Sequence, residues 1–386
     1  MRRKNHRWYL VASALAAGLA VLTKGPVALG VIVMVVTVIL IINKGKLNFN
    51  LGDLLIWLIV IAIVIAAWLT VEIRANGLTF IDNFIAYQIR LFSTEDAGHG
   101  GPFYYHFLVL LIGCFPASIL CLDAFRRSPD DTHHQLSFKR WMIVLLLVVL
   151  VIFSIVKTKI MHYSSLCYFP ITFLGAYYIH HLQEKHWQWT WRQVIPISII
   201  GGALAMALGG AIWIGVHHLP VPFIGSSGFA REAAKAAVYW SSGDIAIPVL
   251  FALGIIVSLI LLAKGKILGG ISTLLITTCL FSLLTVALIV PRVEKYSQAA
   301  MIEFIESKKL EDCYIEVIGF KSYAHLFYKN KKAESPKDLD MNYIFWGPTT
   351  KPLYIITRVD KIHVIDYPER FIEIYRKNGF VFLKKK

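Results

Sequence analysis

Nine stretches of this chain are apolar over enough length to cross, or nearly cross, a lipid bilayer: 8–23, 26–42, 52–71, 103–123, 141–156, 160–180, 194–215, 245–263 and 267–290. A helix needs roughly 20 apolar residues to span a hydrocarbon core of about 30 Å. The first and fifth stretches fall short of that, and the Lys24-Gly25-Pro26 break makes the first two a helical hairpin rather than one long helix. Composition agrees. The chain is 57% hydrophobic and only 16% charged, whereas soluble domains carry about 25% charged residues. A purely soluble protein and a disordered one are both excluded.

The start, MRRKNHR before an apolar run, has the outline of a signal peptide. No small-residue cleavage site follows, so the run is read as a retained helix. Of 39 Lys and Arg residues, fourteen lie in the segments 1–7, 43–51, 124–140, 181–193 and 264–266, against seven in the loops opposite. Basic residues accumulate on the cytoplasmic side of membrane proteins. The bias therefore predicts a multi-pass protein of the bacterial inner membrane with a cytoplasmic N-terminus, and nine spans would leave the C-terminus periplasmic. The formal charge of +15 is accounted for by this topology. No aromatic-basic recognition module is visible, so nucleic acid is not an expected partner; membrane lipids are.

From about Pro291 the character changes. Residues 292–386 hold 18 of the basic and 13 of the 24 acidic residues, with no run long enough to span. The pattern predicts an amphipathic helix at about 293–309, short strands at Tyr314–Phe320, Tyr343–Trp346, Leu353–Val359, Ile362–Asp366 and Val381–Leu383, and a helix over Pro368–Asn378. The fold class expected is thus an all-α polytopic membrane domain of about nine helices (1–291) followed by a small soluble α/β domain (292–386) on the periplasmic side. The five cysteines form no CxxC pair and imply neither a disulfide framework nor a thiolate metal site. They are expected to be buried apolar residues.

Three constellations carry chemistry. In Leu22-Thr23-Lys24-Gly25-Pro26, a lysine beside the first turn of the next helix sets an ammonium against free backbone N–H groups, which is an anion site in miniature. Lys157-Thr158-Lys159, with His162 and Tyr163 close behind, can hold a phosphate from two directions. Both sit on the outer side, where the topological bias should remove cations, yet each also reads as an interfacial turn with snorkelling lysines. The third is the outer loop 72–102. Its amphipathic stretch 80–90, ending in Arg90, should lie along the membrane surface. It runs into Glu95, Asp96, His99 and a glycine-rich turn, then Tyr104, Tyr105 and His106. Two carboxylates and two histidines there suit a divalent ion or acid-base work, although no defined metal spacing is present and a polar loop with an aromatic belt fits equally. The pairs His133-His134 and His180-His181 are expected to be solvated interfacial residues.

In this order, the Leu-Thr-Lys-Gly-Pro turn, the surface helix leading to Gly98-His99-Gly100-Gly101-Pro102-Phe103-Tyr104-Tyr105, and Phe153-Ser154 followed by Lys157-Thr158-Lys159 resemble the bacterial integral-membrane glycosyltransferases of the GT-C superfamily. The branch is the one shared by protein O-mannosyltransferases and lipid A aminoarabinose transferases. The resemblance covers about 8–180 in motifs and 181–290 as topology only. It implies a transferase taking a sugar from a polyprenyl-phosphate carrier at the outer face of the inner membrane, with a lipid, glycan or protein acceptor. It places the lipid phosphate on Lys24, Lys157 and Lys159, and the donor on the loop bearing Arg90, Glu95, Asp96, His99, Tyr104 and Tyr105, with metal contact at His99 an option.

Members of that family open with further spans and a large periplasmic loop carrying the catalytic carboxylate. Glu72, Glu95 and Asp96 do not match that position, so no catalytic base is assigned. The expectation is a chain corresponding to the C-terminal two-thirds of such an enzyme: truncated, mis-started, or completed by a separate N-terminal polypeptide. A non-catalytic subunit or inactive remnant is the alternative. A transporter is disfavoured, because Asp53 and Asp123 lie only at span ends and no span carries a central charge.

Overall fold

The computed structural model describes residues 6–45, 50–93, 100–129, 131–218, 227–329, 341–348, 351–365 and 368–386. The chain forms two compact units, one of Met1–Ile197 with Gly265–Ile271 and one of Ser198–Lys264 with Ser272–Lys386.

In the first unit, α1 (His6–Lys24) and α2 (Val27–Ile42) form the expected hairpin about Gly25, whose positive φ of 72° a side chain would resist. Against α1 packs α3 (Leu51–Asn76). Ala14, Ala17 and Gly18 line the seam, and a Cβ on Gly18 would lie 2.9 Å from Val64, so small residues set the approach. Asn50 caps α3 with a reciprocal capping box to Asp53, a buried carboxylate that also lies 3.2 Å from His6 Nε2. The surface stretch becomes α4 (Thr79–Ser93).

The fourth apolar stretch is not one helix. It splits into α5 (Tyr105–Gly113) and α6 (Ala117–Asp123), bent by 104°. Pro116 cannot continue the hydrogen-bond ladder, and the Ser118 hydroxyl donates to the Leu111 carbonyl freed at the break, at 2.7 Å. The break itself leaves no apolar gap for hydropathy to register. Beyond it, α7 (His133–Ile155) starts at a Thr132–Gln135 capping box. The sixth stretch opens as a 3-10 turn, Met161–Cys167, before α8 (Tyr168–Gln183). Helix α9 (Trp191–Val216) begins in this unit and ends in the other.

The second unit adds α10 (Gly228–Ala233), α11 (Ala246–Ala263), α12 (Ile267–Leu284, entering from the first unit), a π turn Thr285–Ile289, α13 (Val290–Ser297) and α14 (Ala299–Ser307). Helix α11 meets α12 closely: a Cβ on Gly254 would lie 2.4 Å from Thr277. Every predicted stretch is mainly helical, the fourth as two helices and the sixth after a 3-10 turn. Among the described residues five helices are long and apolar enough to cross a membrane, or six if the bent pair is one span.

The C-terminal segment is an α/β fold. A four-stranded sheet of order β1-β2-β4-β3 joins β1 (Tyr314–Val317), β2 (Leu353–Arg358), β3 (Phe371–Lys377) and β4 (Phe380–Lys385). Strand β1 runs parallel to β2, and the other pairs are antiparallel. Along β2 the side chains alternate as a pleat requires. Tyr354 and Ile356 face Phe304 and Ile305 of α14, while Leu353 and Ile355 face Ile344 and Phe345. Between the strands lie α15 (Ala324–Tyr328) and α16 (Met341–Trp346).

Four local expectations are corrected here. Tyr343–Trp346 belongs to helix α16, because Ile344 and Phe345 both bury against the sheet, as adjacent residues on one strand face cannot. Ile362–Val364 is a 3-10 turn. Pro368–Asn378 is largely strand β3, an edge strand whose side chains after Phe371 are all exposed. The amphipathic helix at 293–309 is two helices meeting at Gln298.

Candidate functional site

Four of the last carbonyls of any helix lack partners within it. At the end of α7 the chain supplies a cation for them. The Lys159 ammonium, buried, donates to the carbonyls of Phe153 (3.0 Å), Ser154 (2.6 Å) and Val156 (2.6 Å). A positive charge at a helix C-terminus also opposes the negative end of the dipole. Burial holds the Lys159 pKa below lysine's usual value. Its three donors are all engaged, so Lys159 acts on the structure of the loop.

The consequence is a fixed 156–160 segment. Thr158 is fully buried and Lys157 points outward, exposed. The stem of Lys159 lies against Gly101, where an added Cβ would come within 3.1 Å of Lys159 Cγ. A side chain at 101 would press on this lysine, so glycine lets the loop before α5 close on it without displacing the stem. One turn further, buried His106 places Nδ1 3.1 Å from Ser164 Oγ and lies within electrostatic reach of Lys159. Tyr105 meets the His106 ring edge-on at 5.1 Å between centroids. From α1, the exposed Lys24 is within electrostatic reach of His162. Three segments far apart in sequence, 22–26, 101–106 and 157–164, therefore come together at one end of α7.

Among the described residues neither Lys24 nor Lys157 has a hydrogen-bond or ion-pair partner. Two unpaired ammonium groups beside a closed loop make an anion-accepting surface. Tyr104 is exposed at its edge. Arg90 lies on α4 with its guanidinium 5.2 Å from the Tyr87 ring centroid. Glu95, Asp96 and His99 fall outside the described residues, and with them the option of a metal at His99. Among the described residues no group of three or more His, Cys, Asp or Glu side chains is placed to hold a metal ion. Sequence reasoning missed Ser164 and the part played by Gly101, since nothing local marks a serine or a glycine as facing a residue some 60 positions away.

The opposite end of α7 holds a second polar cluster, and there an expectation fails. His181 is buried, not solvated: it lies 3.3 Å from Asp131 and stacks near Tyr177 and Trp187. Asp131 accepts from the Tyr177 hydroxyl. Asp123 pairs with Arg126 at 2.7 Å and accepts from Gln193. The Lys139 ammonium donates to the Arg126 carbonyl and sits 4.2 Å from the Tyr177 ring centroid. Of the cysteines, Cys121, Cys167 and Cys313 are buried as expected, while Cys279 is exposed on apolar α12.

The fold is shared with a solved membrane protein. ArnT from Cupriavidus metallidurans, in its crystal structure bound to undecaprenyl phosphate, matches with a TM-score of 0.67 and 18% identity, covering 98% of this chain and 69% of that one. In sequence, the undecaprenyl phosphate-alpha-4-amino-4-deoxy-L-arabinose arabinosyl transferase of Pectobacterium atrosepticum is 28% identical over 257 residues, 62% of this chain and 45% of that protein. The Enterobacter protein of the same name is 32% identical over 166 residues, 42% of this chain and 29% of its own. The resemblance to the aminoarabinose transferases of the GT-C superfamily therefore holds in both sequence and fold. The chain spans about half the length of the curated relatives it matches first. No protein-family model matches it.

Proposed function

We propose that this chain forms the lipid-phosphate side of a membrane glycosyltransferase, which moves a sugar from an undecaprenyl-phosphate donor to a lipid, glycan or protein acceptor at the outer face of the bacterial inner membrane. The observation that carries the reading is the convergence of segments 22–26, 101–106 and 157–164, with two unpaired ammonium groups among them. The relatives named above support it: their names specify an undecaprenyl-phosphate-linked aminosugar, and one solved structure of this fold holds undecaprenyl phosphate.

In such a transfer the acceptor's nucleophile forms a bond to the anomeric carbon while the bond from that carbon to the phosphate oxygen breaks. The electron pair stays on the phosphate, whose negative charge rises by one, and a proton carried by the nucleophile passes to water or to the departing phosphate. Preorganised cations lower the barrier where charge develops. Lys24 and Lys157 take this role in the proposal, and Lys159 is a positioning residue that fixes Lys157 by holding the end of α7. Arg90, Tyr104 and Tyr105 stand toward the donor sugar. The orientation that follows puts the N-terminus in the cytoplasm and residues 24 and 157 outside.

The test is undecaprenyl phosphate binding to the purified full chain. Lys24→Ala with Lys157→Ala should weaken binding at least tenfold, while Lys264→Ala with Lys266→Ala leaves it unchanged. Equal affinity for wild type and the first double variant overturns the assignment. Labelling of single cysteines at 24 and 157 by an impermeant reagent in whole cells checks the side, and protection of both sites sinks it.

A further inference from the structure

Helices α2 and α7 do not close fully on each other. Between them runs a groove of about 600 Å³ walled by Met34, Val38 and Ile42 on one side and Val144, Leu147 and Val151 on the other. These positions recur every three or four residues, so they form a single stripe along each helix. From Lys139 to Ile152 the lined part of α7 rises about 20 Å, a little more than the roughly 15 Å depth of one leaflet's hydrocarbon.

The charge along this groove is one-sided. Arg127, Lys139 and Arg140 line one end, and no charged residue lines the remainder. Lys139 is committed to the Arg126 carbonyl and the aromatic rings described above. The two arginines are not so committed. Arg127 is exposed, and Arg140 gives one N–H to Asn43 Oδ1 at 2.6 Å, a neutral acceptor that leaves the rest of its planar fork open. Among the described residues the nearby carboxylates Asp123 and Asp131 already face other groups, Asp123 facing Arg126 and Asp131 facing the Tyr177 hydroxyl and His181. Neither Arg127 nor Arg140 has a carboxylate partner among the described residues. An apolar groove about one leaflet deep, with Arg127 and Arg140 among the residues that line its charged end, complements an acyl chain with a phosphodiester at its head.

We propose that this groove is a binding site for an anionic glycerophospholipid, with one acyl chain between α2 and α7 and the headgroup phosphate on Arg127 and Arg140. The site is separate from the anion surface of Lys24 and Lys157. Helix α2 starts at the Lys24 turn and ends at Asn43, so the two sets of cations stand at opposite ends of the same helix pair.

Native mass spectrometry of the full chain in detergent tests the proposal, using phosphatidylglycerol and phosphatidylcholine with identical acyl chains. Wild type should bind phosphatidylglycerol at least tenfold more tightly. Arg127→Gln with Arg140→Gln should bring it down to the phosphatidylcholine level, whereas Arg127→Lys with Arg140→Lys retains most of the preference. Leu147→Trp, which fills the groove and leaves the arginines, should weaken both lipids. Lys264→Gln with Lys266→Gln should change nothing. Equal binding of the two lipids by wild type overturns the site, as does an unaltered preference in the double Gln variant. If that variant does not fold, undiminished binding by Leu147→Trp overturns it alone. Undecaprenyl phosphate affinity that falls with the arginines would reassign the groove to the donor's isoprenoid and overturn the phospholipid.

Discussion

The two ends of α7 are built from similar residues with opposite bookkeeping of charge. At the 123–140 end the described buried ions sit among partners: Asp123 with Arg126 and Gln193, Asp131 with the Tyr177 hydroxyl on one oxygen and His181 3.3 Å from the other, Lys139 with a carbonyl and two aromatic rings. At the 155–164 end only Lys159 is answered, by carbonyls, while Lys24 and Lys157 stand exposed. Cations enclosed by partners hold a fold together. Cations left open are available to something that arrives from outside, and this difference separates lysines with a structural role from those to which the proposal gives a functional one, where sequence spacing does not.

The comparison breaks first at its structural end. Asp131→Ala removes a fully buried carboxylate from its hydroxyl and imidazole partners, and truncating one member of a buried charged network costs about 3–5 kcal/mol. Urea or thermal unfolding in detergent should show that loss; a change under about 1 kcal/mol would mean the cluster is solvated after all. At the other end, Lys24→Ala should slow sugar transfer by roughly 2–4 kcal/mol of barrier, about 30- to 1000-fold, with the melting temperature unmoved. A melting shift with normal transfer would exchange the roles assigned to the two ends.

Smaller effects sharpen the picture. Gly101→Ala forces its new methyl to within 3.1 Å of the Lys159 stem, and overpacking of that kind costs about 1–3 kcal/mol. Undecaprenyl phosphate affinity should fall in this variant although no cation is removed, and unchanged affinity would uncouple the loop from the site. The smallest effect lies in the α/β segment. Glu311 accepts from Lys308 at 2.8 Å and from the Tyr354 hydroxyl at 2.7 Å. These hydrogen bonds, Lys308's first, hold its carboxyl below the usual carboxylate range. Its ionised form is therefore favoured in the folded state, stabilising above the usual carboxylate pKa and fading as pH falls through the lowered one. For a partly exposed pair the gain is under about 1 kcal/mol. Glu311→Gln should lower the neutral-pH melting point slightly and remove that part of its acid dependence.

Much of this was legible in the chain. Hydropathy alone marked the helical stretches, and lysines that the charge bias would place on the disfavoured side of the membrane pointed to 22–26 and 157–159 before any geometry. What stayed hidden has physical reasons. Pro116 bends a run whose apolarity never drops, so a hydropathy window passes over it. His180-His181 sits beside basic residues and looks solvated, because the aspartate that buries His181 is 50 positions away. In β3, Glu373, Arg376 and Lys377 at helical spacing mimic a helix, and an edge strand with nearly every side chain exposed has no buried face to impose alternation. Within the site, the segments were each recognisable, but their meeting was not, since it depends on Gly101 and Lys159 touching.

That touch also bears on how tightly an incoming anion is held. Because Lys159 clamps the end of α7 and Thr158 is buried beside it, the backbone under Lys157 is held in place before the anion of the proposed site would arrive. Only the rotamers of a single side chain remain to be frozen, about 0.5–1.5 kcal/mol for a long flexible one, so nearly all the attraction of that ammonium goes into grip.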